Sequence, residues 1–244
     1  MVSLDADVCS RDAAIESVGR MAASGRGGYI CFGTVHMVME SYDDPGFAAK
    51  VNGADMIVTD GMPLVWMQRL QGAKGATRIR ANDLMVSLLG HAEKEAMAVG
   101  FYGGRQEVID AIVEKAGSEF PVLEIAYAYS PPFRPLTNEE SERVIAEINA
   151  SGTRILFMGL GCPKQENWMA AHRDDLSCVM LGVGASFDFY AGNVRETPAW
   201  LGRLGLEWLY RLFQEPKRLW RRYLILNPRF IVLAARQLLK QKGR

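Results

Sequence analysis

The sequence predicts an α/β fold, a mostly parallel sheet with helices on both faces, followed by a basic amphipathic helical C-terminal appendage. Three observations carry this. Short apolar or β-branched runs alternate with longer stretches of helical periodicity, the pattern of repeated strand–helix units. The 244 residues, 49% hydrophobic and 23% charged, suit an ordinary folded chain with room for one large domain and an addition to it, and exclude disorder or a polyelectrolyte. The net charge of zero conceals two parts of opposite sign: from Arg195 to Arg244, 12 Lys and Arg face three Glu, a net of +9, which leaves −9 for the first 194 residues. The expected division is therefore an α/β core over 1–194 and a basic helical appendage over 195–244.

Strands are expected at 28–33 (GYICFG), 55–59 (DMIVT), 97–102 (MAVGFY), 122–127 (VLEIAY), 154–159 (RILFMG) and 179–183 (VMLGV). Helices are expected near 10–24, 62–71, 82–94, 105–117, 137–150 and 164–173. Parallel sheets of this kind bind ligands beyond the carboxyl ends of their strands, so the loops that follow the strands are where chemistry is sought.

Four such loops stand out. The second strand runs into Asp60-Gly61-Met62-Pro63, a carboxylate ahead of a proline suited to a helix's first turn. The third ends in Gly103-Gly104-Arg105. The fifth ends in Gly159-Leu160-Gly161-Cys162-Pro163-Lys164-Gln165-Glu166, where glycines allow close backbone approach and a new helix offers free N–H groups. The sixth leads to Gly184 and Asp188. Together they suit a nucleotide or diphosphate cradle, although Gly-x-Gly also suits a plain tight turn and Asp60 a turn or cap.

Other features narrow the classes. Cys9, Cys31, Cys162 and Cys178 form no Cys-x-x-Cys pair and suit a reducing compartment, with the cytoplasm as the expected location. No run approaches the roughly 18 to 20 apolar residues of a membrane span, and the charged N-terminus is unlike a signal peptide. His36, His91 and His172 lack metal-ligand spacing, and none of the acidic pairs sits at a strand end, so no metal or other cofactor is expected.

The appendage interleaves its cations with Trp200, Trp208, Tyr210, Phe213, Trp220, Tyr223 and Phe230, a composition suited to an anionic lipid–water boundary. A helix over 207–224 would place Arg211, Arg218 and Arg222 on one stripe, with Leu209, Leu212, Phe213, Trp220 and Leu224 largely elsewhere. Asn227-Pro228 should break it before a second basic segment, 229–242. A solvated helical face is the plainer alternative.

The segments ADMIVTDGMPLVW, RIRANDL from Arg78, FYGG, ILFMGLGCPKQENWM, GVGASFDFYAGNVRETPAW and GLEWLYRLFQEPKRLWRRY, in this order from about residue 30 to 230, resemble the WecG/TagA/CpsF glycosyltransferase family. The resemblance implies a Rossmann-like core and an inverting, metal-independent enzyme. Such an enzyme moves a sugar from a UDP-sugar to a polyprenyl-diphosphate-linked acceptor in cell-surface polysaccharide assembly, peripherally on the inner face of the cell membrane. By the same resemblance Asp60 is the catalytic base, Arg78 and Gln165 belong to the site, and Arg211, Arg218 and Arg221 act from the tail. Further substrate-binding candidates are Thr34, His36, Gly61, Asp83, Gly103, Gly104, Gly159, Gly161, Pro163, Lys164, Glu166 and Gly184. The chain departs from the family's Thr-x-Asn after the first strand, with Phe32 and Thr34 there, and has Ala81 where a glycine is frequent. No nucleic-acid partner is expected, and a homo-oligomer is left open.

Two other classes remain: a non-catalytic binder of anionic lipid or nucleic acid through the tail, and an NAD-dependent oxidoreductase. The latter is disfavoured because Gly33-Thr34-Val35-His36, rather than G-x-G-x-x-G, follows the first strand.

Overall fold

The structure, a computed structural model, describes residues 1–242; Gly243 and Arg244, the end of the expected appendage, lie outside the described residues. Strands β1 Gly28–Gly33, β2 Met56–Thr59, β3 Val99–Gly103, β4 Ile125–Tyr129, β5 Ile155–Gly159 and β6 Val179–Leu181 form one sheet in the order β2-β1-β6-β5-β3-β4. Every pairing is parallel. β1 is buried at all six positions, as a strand covered on both faces must be, and so it reads as a continuous apolar run. β4 at the sheet edge is only half-buried, and it starts later than the apolar run suggests because Val122 stands exposed in the turn before it.

Helices α1 Arg11–Ser24, α5 Ala81–Lys94 and α6 Gln106–Glu119 cover one face. There Phe101 and Phe157 stack at 5.7 Å with Phe187 edge-on to Phe101. Each such fully buried side chain contributes about 1.5–3 kcal/mol. The other face packs under α2 Val35–Asp43, α3 Pro45–Asn52, α4 Met62–Leu70, α7 Asn138–Ala150 and α8 Lys164–Ala171, around Tyr29, Met39, Leu64 and Met158.

Helices α2 and α3 fill a stretch for which the sequence suggests none. Both are short and set by their caps: the Thr34 hydroxyl accepts from Met37 N–H, and the Asp44 carboxylate accepts from Gly46 and Phe47 N–H with Pro45 in the first turn.

After α9 Ser186–Tyr190 the appendage comprises α10 Ala199–Arg203, α11 Glu207–Gln214, α12 Pro216–Arg221, a π-helical segment Arg222–Leu226 and α13 Asn227–Lys242. The expected unbroken helix over 207–224 is instead interrupted at Glu215 (φ −131°, ψ 60°), ahead of Pro216. The expected break at Asn227-Pro228 is absent. Pro228 sits in the first turn of α13, directly after the wide π turn, where the hydrogen-bond ladder already changes register and a missing N–H costs little. Leu219, Phe230 and Ala234 are buried against the body, and Arg229 on α13 forms two hydrogen bonds to Asp43 at the end of α2, at 2.6 and 2.5 Å. Among the described residues no helix is long and apolar enough to cross a membrane.

Candidate active site

The carboxyl ends of β2, β1, β6 and β5 lie side by side, and the loops after them converge on one polar cleft of about 400 Å³. Asp60 enters from β2, Thr34 from β1, Gly159, Gly161, Gln165 and Glu166 from β5, and Gly184 and Asp188 from β6. The appendage supplies the opposite wall through Glu207, Arg211, Arg218 and Arg222. Beside it lies a smaller recess of about 110 Å³, largely apolar, bordered by Met62, Pro63, Trp208 and Tyr223. Asp60, Thr34, Glu207, Arg211 and Arg222 border both spaces.

The backbone fixes Asp60 firmly. Its N–H and that of Gly61 both donate to Gly33 C=O, which ties the end of β2 to the end of β1. Arg78 Nε donates to the Asp60 carbonyl, and its terminal nitrogen reaches the Asp60 carboxylate at 3.4 Å. The same nitrogen donates to Glu207 at 2.6 Å, so one guanidinium links Asp60 to the appendage. Burial pushes the Asp60 carboxyl above the ordinary aspartate range; Arg78 opposes that, Glu207 adds to it, and Arg80 and Arg211 oppose it from farther off.

A second ionic clasp lies alongside. Arg80 pairs with Asp83 at 3.3 Å and with Glu196 at 3.2 Å, and Asn82 donates to Glu196 at 2.6 Å. Glu196, Glu207 and Asn82 carry no role legible in the sequence, and the pairing of Glu207 with Arg78 spans 129 positions, beyond any local pattern.

The glycine loops divide by role. A Cβ at Gly159 would sit 2.3 Å from the Phe187 ring, and one at Gly103 (φ 111°) 2.8 Å from the Gly159 carbonyl carbon, so both glycines serve close packing of the strand ends. Gly161 (φ 79°) has open space where a side chain would stand, at the lip of the cleft. Gln165 is spent internally: its oxygen accepts from Gly161 N–H at 3.0 Å, while its amide donates to Gly182 C=O at 2.7 Å and to Glu166 at 2.8 Å. It therefore shapes two loops at once. Glu166 is fully buried with one carboxylate oxygen unpartnered, and burial raises its proton affinity.

The remaining candidates are scattered. Thr34 spends its hydroxyl as the α2 cap. His36 lies in the first turn of α2 and contacts Glu40 at 3.3 Å; burial, with Arg222 nearby, lowers its pKa to about 4, so it is neutral at pH 7. Asp83 is turned to Arg80 and does not line the cleft. Gly104 and Lys164 border an adjoining cavity of about 800 Å³, where Lys164 lies 5.2 Å from the fully exposed ring of Phe133, while Pro163 stands as the residue before α8.

The tail arginines part company. Arg211 lies 5.2 Å from the Phe189 ring and faces the cleft, as do Arg218 and Arg222. Arg221 lies over Trp220 and borders only an outer recess with His36, Glu40 and Leu219, a recess that Arg218 and Arg222 border as well. Among the described residues no three His, Cys, Asp or Glu side chains gather as a metal-ligand set.

A family model described as the glycosyl transferase WecG/TagA/CpsF family matches residues 1–244. Two relatives carry the name N-acetylglucosaminyldiphosphoundecaprenol N-acetyl-beta-D-mannosaminyltransferase. The one from Bacillus spizizenii is 34% identical over 84% of this chain and 78% of its own length. The one from Bacillus subtilis is 34% identical over 74% of this chain and 69% of its own.

Proposed function

The chain belongs to the WecG/TagA/CpsF family of glycosyltransferases, and on that premise we propose that it moves an N-acetylhexosamine, with inversion, from a UDP-sugar to a sugar carried on polyprenyl diphosphate. The product is an intermediate of cell-surface polysaccharide. The single observation carrying this reading is the position of Asp60, which borders a polar cleft walled by arginines and an apolar recess. The donor diphosphate occupies the cleft and the acceptor hydroxyl reaches Asp60 from the recess, past Met62, Pro63 and Tyr223.

The chemistry follows from these positions. As the acceptor oxygen attacks the anomeric carbon, Asp60 takes its proton and the bond to the diphosphate breaks on the opposite side. Burial makes the Asp60 carboxylate a stronger base, while Arg78 keeps it ionised and oriented. The negative charge growing on the departing UDP falls to Arg211 and Arg218, because a planar guanidinium suits bidentate phosphate contact. The resemblance implies the same role for Arg221, whose side chain borders the outer recess and not the cleft. Gly161, at the lip of the cleft, lets the backbone approach the phosphates, and Gln165 holds its loop in place.

We assign residues 1–194 to the catalytic core and 195–244 to an element that docks on an anionic membrane surface and closes the site. Exposed Trp200, Leu204, Phe213, Trp220, Leu224 and Ile225 support that docking, as does an acceptor held in a bilayer. The expected location is the cytoplasmic face of the cell membrane. The test offers a panel of UDP-sugars with a polyprenyl-diphosphate-linked N-acetylglucosamine in vesicles and reads the product by mass. A gain of one N-acetylhexosamine with release of UDP is expected; an acceptor of unchanged mass with every donor would overturn the proposal.

A further inference from the structure

The cations around the cleft are unequally satisfied. Arg78 meets Asp60 and Glu207, Arg80 meets Asp83 and Glu196, and Arg218 meets Glu215 at 2.5 Å. Among the described residues, no carboxylate lies within 4 Å of Arg211 or Arg222. The nearest acid in the outer recess, Glu40, is engaged by His36, which stays neutral at pH 7. Two guanidinium groups thus face the cleft with no carboxylate in contact, Asp60 and Glu166 acting on them only from a distance, one on each side of the break at Glu215. A sugar nucleotide's diphosphate brings about two negative charges, one per phosphate, which would balance them.

Helix geometry decides which of the adjacent arginines can take part. Consecutive residues of a helix point about 100° apart, and here Arg221 and Arg222 share the outer recess while Arg222, and not Arg221, also borders the cleft. With Leu219 anchored in the body, the helix turns Arg222 inward beside Tyr223 and leaves Arg221 over Trp220 on the outside. Arg222 also opens the π-helical segment, a distortion frequent at functional sites.

We propose that Arg222 is a catalytic residue that binds the donor diphosphate and takes up its charge as UDP leaves, the place that family resemblance gives to Arg221. This rests on the sugar-nucleotide reading above. On it, Arg221 is left facing outward, where it meets lipid phosphate at the bilayer surface.

The experiment measures the UDP dissociation constant by calorimetry, and kcat with a short-chain soluble acceptor, on the full chain. Arg222→Gln should weaken UDP binding by about 10- to 100-fold, the value of a charge-assisted hydrogen bond, and lower kcat by about 10²-fold. Arg222→Lys keeps the charge without the planar fork and should recover a large part of the UDP affinity. Arg221→Gln should change UDP affinity by less than about threefold and weaken binding to anionic vesicles. Lys217→Gln, an exposed cation of the same helix, controls for charge alone and should leave UDP affinity unchanged. Normal UDP affinity in Arg222→Gln, an Arg222→Lys no better than Arg222→Gln, or an equal loss in Arg221→Gln would each overturn the assignment. If the wild-type chain binds UDP, such a failure belongs to Arg222 alone; if it binds none, the donor reading falls and this assignment with it.

Discussion

Phe101, Phe157 and Phe187 meet inside the sheet with essentially no accessible surface, whereas Trp200, Phe213 and Trp220 of the appendage stand 61%, 78% and 46% exposed. The two regions are held by different forces. The core is cohesive through apolar burial, which ionic screening leaves intact. The appendage buries only a few apolar side chains, among them Leu219, Phe230 and Ala234, and fastens to the core through Glu207 on Arg78, Glu196 on Arg80 and Arg229 on Asp43. A part joined by partly exposed ion pairs, with its aromatic rings still outward, suits the proposed exchange of water for a lipid surface. The difference teaches that a rigid core and an appendage with exposed aromatic rings are separated within one chain, with the proposed active site at their seam.

The largest effect should come from removing the appendage. A chain ending at residue 194 should keep the α/β circular-dichroism signature yet lose vesicle binding and transfer to background, because the cleft would lack Glu207, Arg211, Arg218 and Arg222. Full turnover of a soluble acceptor by that chain would reduce the appendage to an anchor. Next, Gly159→Val tests the cohesive side: its Cβ meets the Phe187 ring, and overpacking of this kind costs about 1–3 kcal/mol. Thermal denaturation should show the loss, and an unchanged midpoint would mean that the strand ends yield more easily than their packing implies. By contrast, Trp220→Ala should change stability by less than about 0.5 kcal/mol while weakening vesicle binding.

Glu207→Gln probes the seam itself. As the proposed base, Asp60 would work only when ionised, so activity should fall as pH drops through its raised pKa. Burial sets that rise and Glu207 adds to it, so removing the Glu207 charge lowers the pKa and moves the acid limb of the pH–rate profile to lower pH. An unmoved limb would show that the two carboxylates do not sense each other. The smallest effect is that of salt. Raising ionic strength from 0.1 to 1 M shortens screening from about 10 Å to about 3 Å, so amide exchange should quicken in α11 and α12 and stay unchanged in β1 and β5.

The sheet was legible because strands buried on both faces write themselves as apolar runs, GYICFG and ILFMG above all, and because a carboxylate or paired glycines at a strand end point to a ligand site. Helices α2 and α3 were not legible, since each is short and owes its start to one capping residue, Thr34 or Asp44. In the tail, the periodic stripe of Arg211, Arg218 and Arg222 matches the three arginines that face the cleft even though the helix assumed for it is interrupted at Glu215. Glu196, Glu207 and Asn82 could not be read from sequence, because each becomes significant only through a partner more than a hundred positions away.

The most direct measurement is the rate of sugar transfer by Asp60→Asn in the full chain, with UDP affinity determined on the same protein. With Asp60 as the proton acceptor, transfer should fall by about 10²- to 10⁴-fold while UDP binds as in the wild type and the fold is no less stable, since an ionised carboxyl whose pKa is raised by burial opposes folding at neutral pH. A folded Asp60→Asn variant that transfers sugar within about threefold of the wild-type rate would contradict the placement of the base.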